Sequence, residues 1–215
     1  MRTLITVDGI DGSGKSTFAR RIADAFEAAG VRTQIVRVDD FRRPIDWSDT
    51  EGKEADVYYD AYYDFELCER SLQAYFAGAA KVEIPAYDSR TERIDGTREL
   101  DFDGVQVVLV EGVFPRRLAA TGQALTIYLS VGEDEARRRI IARDLKKGRT
   151  REEIERRIDR RYFPSQRRYH AEFLPLEKAD VVVENDHAEA PRVVHRDLNG
   201  LHPELRAILD RVLGA

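Results

Sequence analysis

The sequence predicts an α/β fold built on a largely parallel sheet, and three observations point there. Short β-rich runs alternate with amphipathic helical stretches along the chain. A glycine-rich octapeptide, Gly9-Ile10-Asp11-Gly12-Ser13-Gly14-Lys15-Ser16, stands between the first strand and the first helix. Two apolar runs end in carboxylates, Asp39 and Glu111, and in an open α/β sheet the carboxyl ends of strands line the ligand crevice.

Thr3–Val7 is the first strand. Lys15–Ala29 follows as a helix, because Phe18, Ile22, Phe26 and Ala29 share one face and Gly30 ends it. Thr33–Val38 is the second strand, closing on Asp39-Asp40, and residues 42–59 have no clear period and read as a long connection. The spacing predicts a helix over Asp60–Phe76, stopped by Gly78. Val82–Ile84 precedes Pro85, and the polar stretch to Leu100 reads as an irregular excursion or a hairpin. Val105–Val110 is the most apolar strand and Ala124–Ser130 the next. Glu133–Lys147 and, from about Arg151 to Tyr162, a second charged segment read as helices broken at Lys147-Gly148-Arg149. Val181–Glu184 is a final short strand. Pro203–Leu213 is an amphipathic helix with Pro in its first turn and Gly214 beyond its end. No repeat or linker interrupts the chain, so residues 1–215 read as one domain.

At 215 residues, 42% hydrophobic and 35% charged, the chain has the mix of a globular domain. No apolar run approaches the ~20 residues that span a bilayer. The start, Met1 through Val7, leads straight into a strand and leaves no place for a cleavable signal. Cys68 is the single cysteine, so no intrachain disulfide forms, and a cytoplasmic location is expected. The net charge of −5 hides an asymmetry: residues 137–168 hold 14 Lys or Arg against 5 Asp or Glu. A basic stretch in an otherwise acidic chain favours a local anionic ligand over a general nucleic-acid surface. The competing reading is a solvated helix laced with pairs such as Glu153 with Arg157. The sequence leaves a homo-oligomer open.

The octapeptide is a complete Walker A loop, and its context of strand before and helix after makes the fold a three-layer P-loop NTPase sandwich. Its glycines let successive backbone N–H groups converge on phosphate oxygens, and the following helix aims its positive end there. Gly12, Ser13, Gly14, Lys15, Ser16 and Thr17 are therefore the candidate nucleotide-binding residues, with ATP and Mg²⁺ as the implied cofactors. Lys15 would reach the β- and γ-phosphates, and Ser16 is the expected Mg²⁺ ligand. Asp39 or Glu111 could hold Mg²⁺ or accept a proton from an attacking hydroxyl, and either could instead cap a helix. Asp40 competes with Asp39, since only one of two adjacent side chains points into a crevice. A GTPase switch is excluded by the lack of an Asn-Lys-x-Asp signature; the Asp-x-x-Gly match at Asp101–Gly104 precedes its strand instead of ending it.

Taken in order, the motifs resemble the uridine kinase and phosphoribulokinase group of P-loop kinases over roughly residues 3–184. Val38-Asp39-Asp40-Phe41 is similar to that group's strand-terminal Asp-Ser-Phe-Tyr, and Pro85-Ala86-Tyr87-Asp88 to the Pro-x-Tyr-Asp of uridine kinases. Val110-Glu111-Gly112-Val113, the run Arg139 to Asp144 with Gly148-Arg149, and Ala179–Val183 resemble the family's later motifs. The resemblance implies an ATP-dependent kinase that phosphorylates a small alcohol, foremost the 5′-hydroxyl of uridine or cytidine, with pantothenate, nicotinamide riboside or a sugar phosphate as alternative acceptors. It further implies Asp39 as general base, Glu111 at Mg²⁺, and a helical lid over about 137–168 whose Arg143 and Arg149 close over ATP, Arg149 acting in catalysis. Asp60, Tyr87 and Arg93 would face the acceptor, with Asp64 competing for the role of Asp60. Two departures fall where the acceptor is chosen: Glu92 replaces the pyrimidine-recognising His, and Tyr58-Tyr59-Asp60-Ala61-Tyr62-Tyr63-Asp64 replaces Phe-Asp-His-Pro. The tyrosines could stack on a base or pack in the core.

Overall fold

The computed structural model describes residues 2–214. Its elements are β1 (Thr3–Gly9), α1 (Lys15–Ala28), β2 (Thr33–Arg37), α2 (Glu54–Asp60), α3 (Phe65–Ala77), β3 (Lys81–Asp88), β4 (Arg93–Asp101) and β5 (Val107–Glu111). Then come β6 (Leu125–Ser130), α4 (Glu133–Leu145), α5 (Arg151–Arg157), α6 (Phe163–Phe173), β7 (Val181–Glu184), β8 (Arg192–Arg196) and α7 (Pro203–Leu213). Six strands form one sheet in the order β2-β5-β1-β6-β7-β8, while β3 and β4 make a separate hairpin. β2, β5, β1, β6 and β7 run parallel, and β8 is antiparallel to β7.

The period of two along each strand sorts the core onto two faces. Ile5, Val7, Val107 and Leu109 meet Phe18, Ile22 and Phe26 of α1 and Leu205, Ile208 and Leu209 of α7. Leu4, Val108 and Val110 point the other way, to a cluster holding Leu72 and Tyr75 of α3, Ile140 of α4, Phe163 and Tyr169 of α6. A sheet covered on both faces needs apolar side chains on both, which is why Val107–Val110 is an unbroken apolar run. The result is three layers, helix–sheet–helix, with the amphipathic tail helix a full member of one layer.

Several stretches differ from the sequence reading, each for a tertiary reason. Within 42–59, α2 is a helix of 7 residues, too short to declare a period, and it is held by Ser165 Oγ donating to the Ala55 carbonyl at 2.9 Å. The next helix starts at Phe65 instead of Asp60, because Asp64 caps it by accepting from the Leu67 N–H at 2.9 Å. The stretch before Leu100 resolves as the β3–β4 hairpin. The helix from Arg151 does not stop at Tyr162: a π-helical turn, Ile158–Tyr162, carries it into α6 with Pro164 in the first turn. β8 is an edge strand exposed at every position but Val193, so it carries no apolar alternation for the sequence to show.

Candidate active site

The phosphate loop connects β1 to α1 at the carboxyl edge of the sheet. Gly12 and Gly14 adopt φ of +80° and +95°, where a side chain is strained. A Cβ on Gly12 would lie 2.6 Å from the Ala136 carbonyl oxygen, so the first turn of α4 seats directly on the loop. Asn185 buttresses it, donating from Nδ2 to the Ser13 carbonyl at 2.6 Å, and Arg139 donates in turn to the Asn185 and Asp186 carbonyls at 2.6 and 2.9 Å. Lys15 is buried and folds back to donate to the Ile10 carbonyl at 2.7 Å. Thr17 and Ser16 are exposed at the mouth of the same cleft. Ser13 Oγ is buried with no partner among the described residues.

The sheet register sets the acids. Val7 of β1 and Arg37 of β2 both flank Glu111, the last residue of β5. Glu111 Oε2 accepts from Ser16 Oγ at 3.1 Å, and Oε1 lies 3.4 Å from Arg37 Nε. Burial raises the Glu111 carboxyl above its ordinary range, the Asp39 charge adds to that, and Lys15, Ser16 and Arg37 oppose it. The pair of hard oxygens on Ser16 and Glu111 fits Mg²⁺, which keeps several waters and shares phosphate oxygens instead of needing an all-protein cage. The glycine cradle and the orphaned Ser13 hydroxyl fit a polyphosphate.

Asp39 and Asp40 sit in a 3-10 turn, Val38–Phe41, immediately past β2, so the strand ends one residue earlier than expected. The turn sends the two side chains apart. Asp40 is drawn to Arg98 of β4 at 2.6 Å and is 16% exposed. Asp39 keeps 51% exposure, faces the cleft and is ion-paired with Arg42. Although half the side chain meets water, the protein packed around the carboxylate partly desolvates it and resists its charge; Arg42, Lys15 and Arg143 prevail and hold it below the usual range, so it is ionised at neutral pH. Beyond it the crevice is walled by Arg42, Tyr62, Glu92, Arg143, Arg149 and Tyr162.

The basic stretch is largely satisfied within the chain. Arg137 pairs with Asp159, Arg157 with Glu92, Arg160 with Glu54 and Arg167 with Glu133. Arg143, Lys147 and Arg149 converge on Asp144, whose side chain is 0% exposed, at 2.7, 3.7 and 3.1 Å. Arg143 and Arg149 thus stand over the crevice on a shared counter-ion, while α6 is tied to the sheet by Tyr169 donating to Asp8 at 2.7 Å. Asp8 lies under the phosphate loop, and burial pushes its carboxyl up to about 6 against the Tyr169 and Gly9 hydrogen bonds.

The residues expected at the acceptor are placed unevenly. Tyr87 of β3 is half-buried, its hydroxyl 3.4 Å from that of Tyr62, with Arg42 over its ring. Asp60 ends α2 and receives Arg168 at 2.7 and 3.2 Å, away from the crevice wall. Asp64 is held by its cap and by Arg43 at 2.9 Å. Arg93 opens β4 opposite Asp88 and is exposed. The tyrosines are packed: Tyr58 has Tyr62, Tyr63, Phe114 and Tyr162 around it at centroid distances of 5.5, 5.5, 5.8 and 5.3 Å. Sequence reasoning missed Arg42 and Asp11 at this site. Asp11 stood inside the loop motif, and a carboxylate at a motif position that carries no fixed chemistry was the available signal.

No helix among the described residues is long and apolar enough to cross a membrane. No curated protein matches the chain significantly. Among solved structures, a possible uridine kinase from Bacillus stearothermophilus aligns at TM-score 0.63 and 20% identity, covering 84% of this chain and 88% of that one. Phosphoribulokinase from Rhodobacter spheroides aligns at TM-score 0.60 and 18% identity over 85% of this chain and 70% of the other. D-glycerate 3-kinase from Cryptococcus neoformans aligns at TM-score 0.55 and 14% identity over 89% of each. These likenesses establish the fold. The model of the Phosphoribulokinase / Uridine kinase family matches residues 4–189, through the loop, both strand-terminal acids and the arginine helices, and the chain belongs to that family of ATP-dependent kinases of small-molecule alcohols.

Proposed function

We propose that the chain transfers the γ-phosphate of ATP to a hydroxyl of a small polyhydroxylated acceptor, with a nucleoside 5′-hydroxyl as the first candidate. One observation carries this reading: Asp39 is shared by the cleft holding Lys15, Ser16 and Glu111 and by the adjoining crevice of Arg42, Tyr62 and Glu92. A carboxylate at that junction can take the acceptor proton while the phosphate loop holds the donor. Lys15 exchanges the Ile10 carbonyl for a phosphate oxygen, and Arg143 and Arg149 turn from Asp144 to cover the nucleotide and exclude water. Ser16 and Glu111 would hold Mg²⁺, which when bound neutralises charge on the β- and γ-phosphate oxygens. The acceptor oxygen bonds to the γ-phosphorus as the bond from that phosphorus to the β,γ-bridging oxygen breaks, and the proton passes to Asp39.

The Pro85–Asp88 motif supports the nucleoside. A second reading, a sugar or other polyol without a base, is supported by the closed packing of Tyr58 and by Glu92, which is engaged by Arg157 at 3.3 Å. ADP release measured with uridine, cytidine, pantothenate, simple sugars and glycerol separates them. Turnover with the nucleosides supports the first reading and turnover confined to sugars and glycerol the second. Turnover with none of them contradicts both.

A further inference from the structure

Asp11 is the one acid of the phosphate loop, and neither the loop's phosphate chemistry nor the proton transfer at Asp39 uses it. Its Oδ2 is held from two sides: the Tyr58 hydroxyl donates to it at 3.1 Å and Gln166 Nε2 at 2.6 Å. Tyr58 is itself fixed by accepting from the Tyr63 hydroxyl at 2.9 Å, and Tyr58, Tyr63 and Gln166 are all buried. One edge of the carboxylate is therefore clamped by α2, α6 and the turn before α3. The other oxygen, Oδ1, has no hydrogen-bond or ion-pair partner among the described residues. Asp11 lines both the nucleotide cleft and the acceptor crevice, and it shares that position only with Asp39 and Arg143.

The other carboxylates near the crevice are committed. Asp39 is on Arg42, Glu92 on Arg157, and Asp144 on its three cations. Asp60 and Asp64, which the family resemblance put forward for the acceptor's hydroxyls, are turned to Arg168 and Arg43. A clamped carboxylate with one open oxygen at the donor–acceptor junction is suited to a hydroxyl beside the reacting one, because the lone pairs of that oxygen can accept from a donor that the chain itself does not supply.

Resting on the kinase reading above, the geometry points to Asp11 as a specificity-determining residue: its Oδ1 accepts a hydrogen bond from a second acceptor hydroxyl, close to the one that Asp39 deprotonates, so the substrate class is a diol or polyol. A single-hydroxyl acceptor leaves that oxygen buried against the substrate without a donor, which a site built for a hydroxyl rejects strongly.

Matched acceptors test this: uridine against 2′,3′-dideoxyuridine, and 1,2-propanediol against 1-propanol. The native enzyme should prefer the member with the additional hydroxyl by about 10²-fold or more in kcat/KM. Asp11→Ala should bring that ratio to within about threefold of one, by losing the preferred acceptor. Tyr58→Phe, which removes one clamp and keeps the ring, should reduce the ratio partway. A loop-shaping role alone would slow both members alike and leave the ratio unchanged in Asp11→Ala, which overturns the inference while the kinase reading stands. Equal use of both members by the native enzyme overturns it likewise. Restoration of Asp11→Ala by added Mg²⁺ would place Asp11 at the metal and also overturn it. Transfer to no member of either pair removes the acceptor reading itself, and this inference with it.

Discussion

The proposed donor and acceptor halves of the cleft are built from different materials. On the donor side the geometry is set by backbone: φ-positive glycines, a helix N-terminus, and strand ends that place the Ser16 and Glu111 side chains 3.1 Å apart by register. On the acceptor side it is done by side chains from α2, the 3-10 turn, the β3–β4 hairpin and the arginine helices, each steered by partners distant in sequence. Arg42 reaches Asp39 from within the connection, Gln166 reaches Asp11 across 155 positions, and Asp40 is removed by Arg98. A backbone-made site is fixed by a short motif. A side-chain-made site can be respecified by a few substitutions, which suits a family whose members differ in acceptor.

If the donor side is rigid and common, its changes should be severe and indifferent to acceptor. Lys15→Ala should lower turnover by at least ~10²-fold, about 2.7 kcal/mol of transition-state stabilisation, with the fold intact by circular dichroism. Next comes the buried counter-ion Asp144. Asp144→Asn leaves Arg143, Lys147 and Arg149 facing one another and should cost roughly 2–3 kcal/mol in urea unfolding, less than a fully buried pair because Arg143 and Lys147 stay about half exposed. ATP, supplying anions to the same arginines, should recover part of that loss. Gly12→Ala forces a side chain onto the Ala136 carbonyl at φ +80° and should cost about 2 kcal/mol, together with weaker ATP binding in a direct titration.

The most gradual effect is a pH slope. Asp8 titrates near 6 in the folded chain against 3.8 ordinarily, so between those values the folded state binds more protons than the unfolded one. Stability should therefore fall as pH rises from about 4 to about 6, by up to ~3 kcal/mol from this group. Asp8→Asn should flatten that window in denaturant melts recorded across it. An unchanged slope would move the titration to another group.

The same division explains what could be read from the sequence. The parallel sheet, the loop, Glu111 and the tail helix were legible because each is encoded by contiguous residues with a period or a motif. Asp39 was legible as a pair with Asp40, but the choice between them lay with Arg98 and Arg42. Asp60 was expected to open a helix at the acceptor and instead ends α2, because Asp64 is the better-placed cap and Arg168 is at hand. The tyrosines left two readings open: the rings of Tyr58, Tyr59 and Tyr63 pack against Phe114 in the core, while Tyr62 packs on Tyr63 and walls the crevice. None of these outcomes is a local property.

The central claim is that Asp39 takes the acceptor proton while Glu111 serves the metal, and the two isosteric variants test it side by side in one Mg²⁺ titration of turnover. Asp39→Asn should bind ATP and acceptor nearly as the native chain does and lose about 10²–10⁴-fold in kcat at every Mg²⁺ concentration. Glu111→Gln should need more Mg²⁺ for half-maximal activity and recover partly as it is supplied. Rescue of Asp39→Asn by Mg²⁺ with none for Glu111→Gln would contradict the assignment.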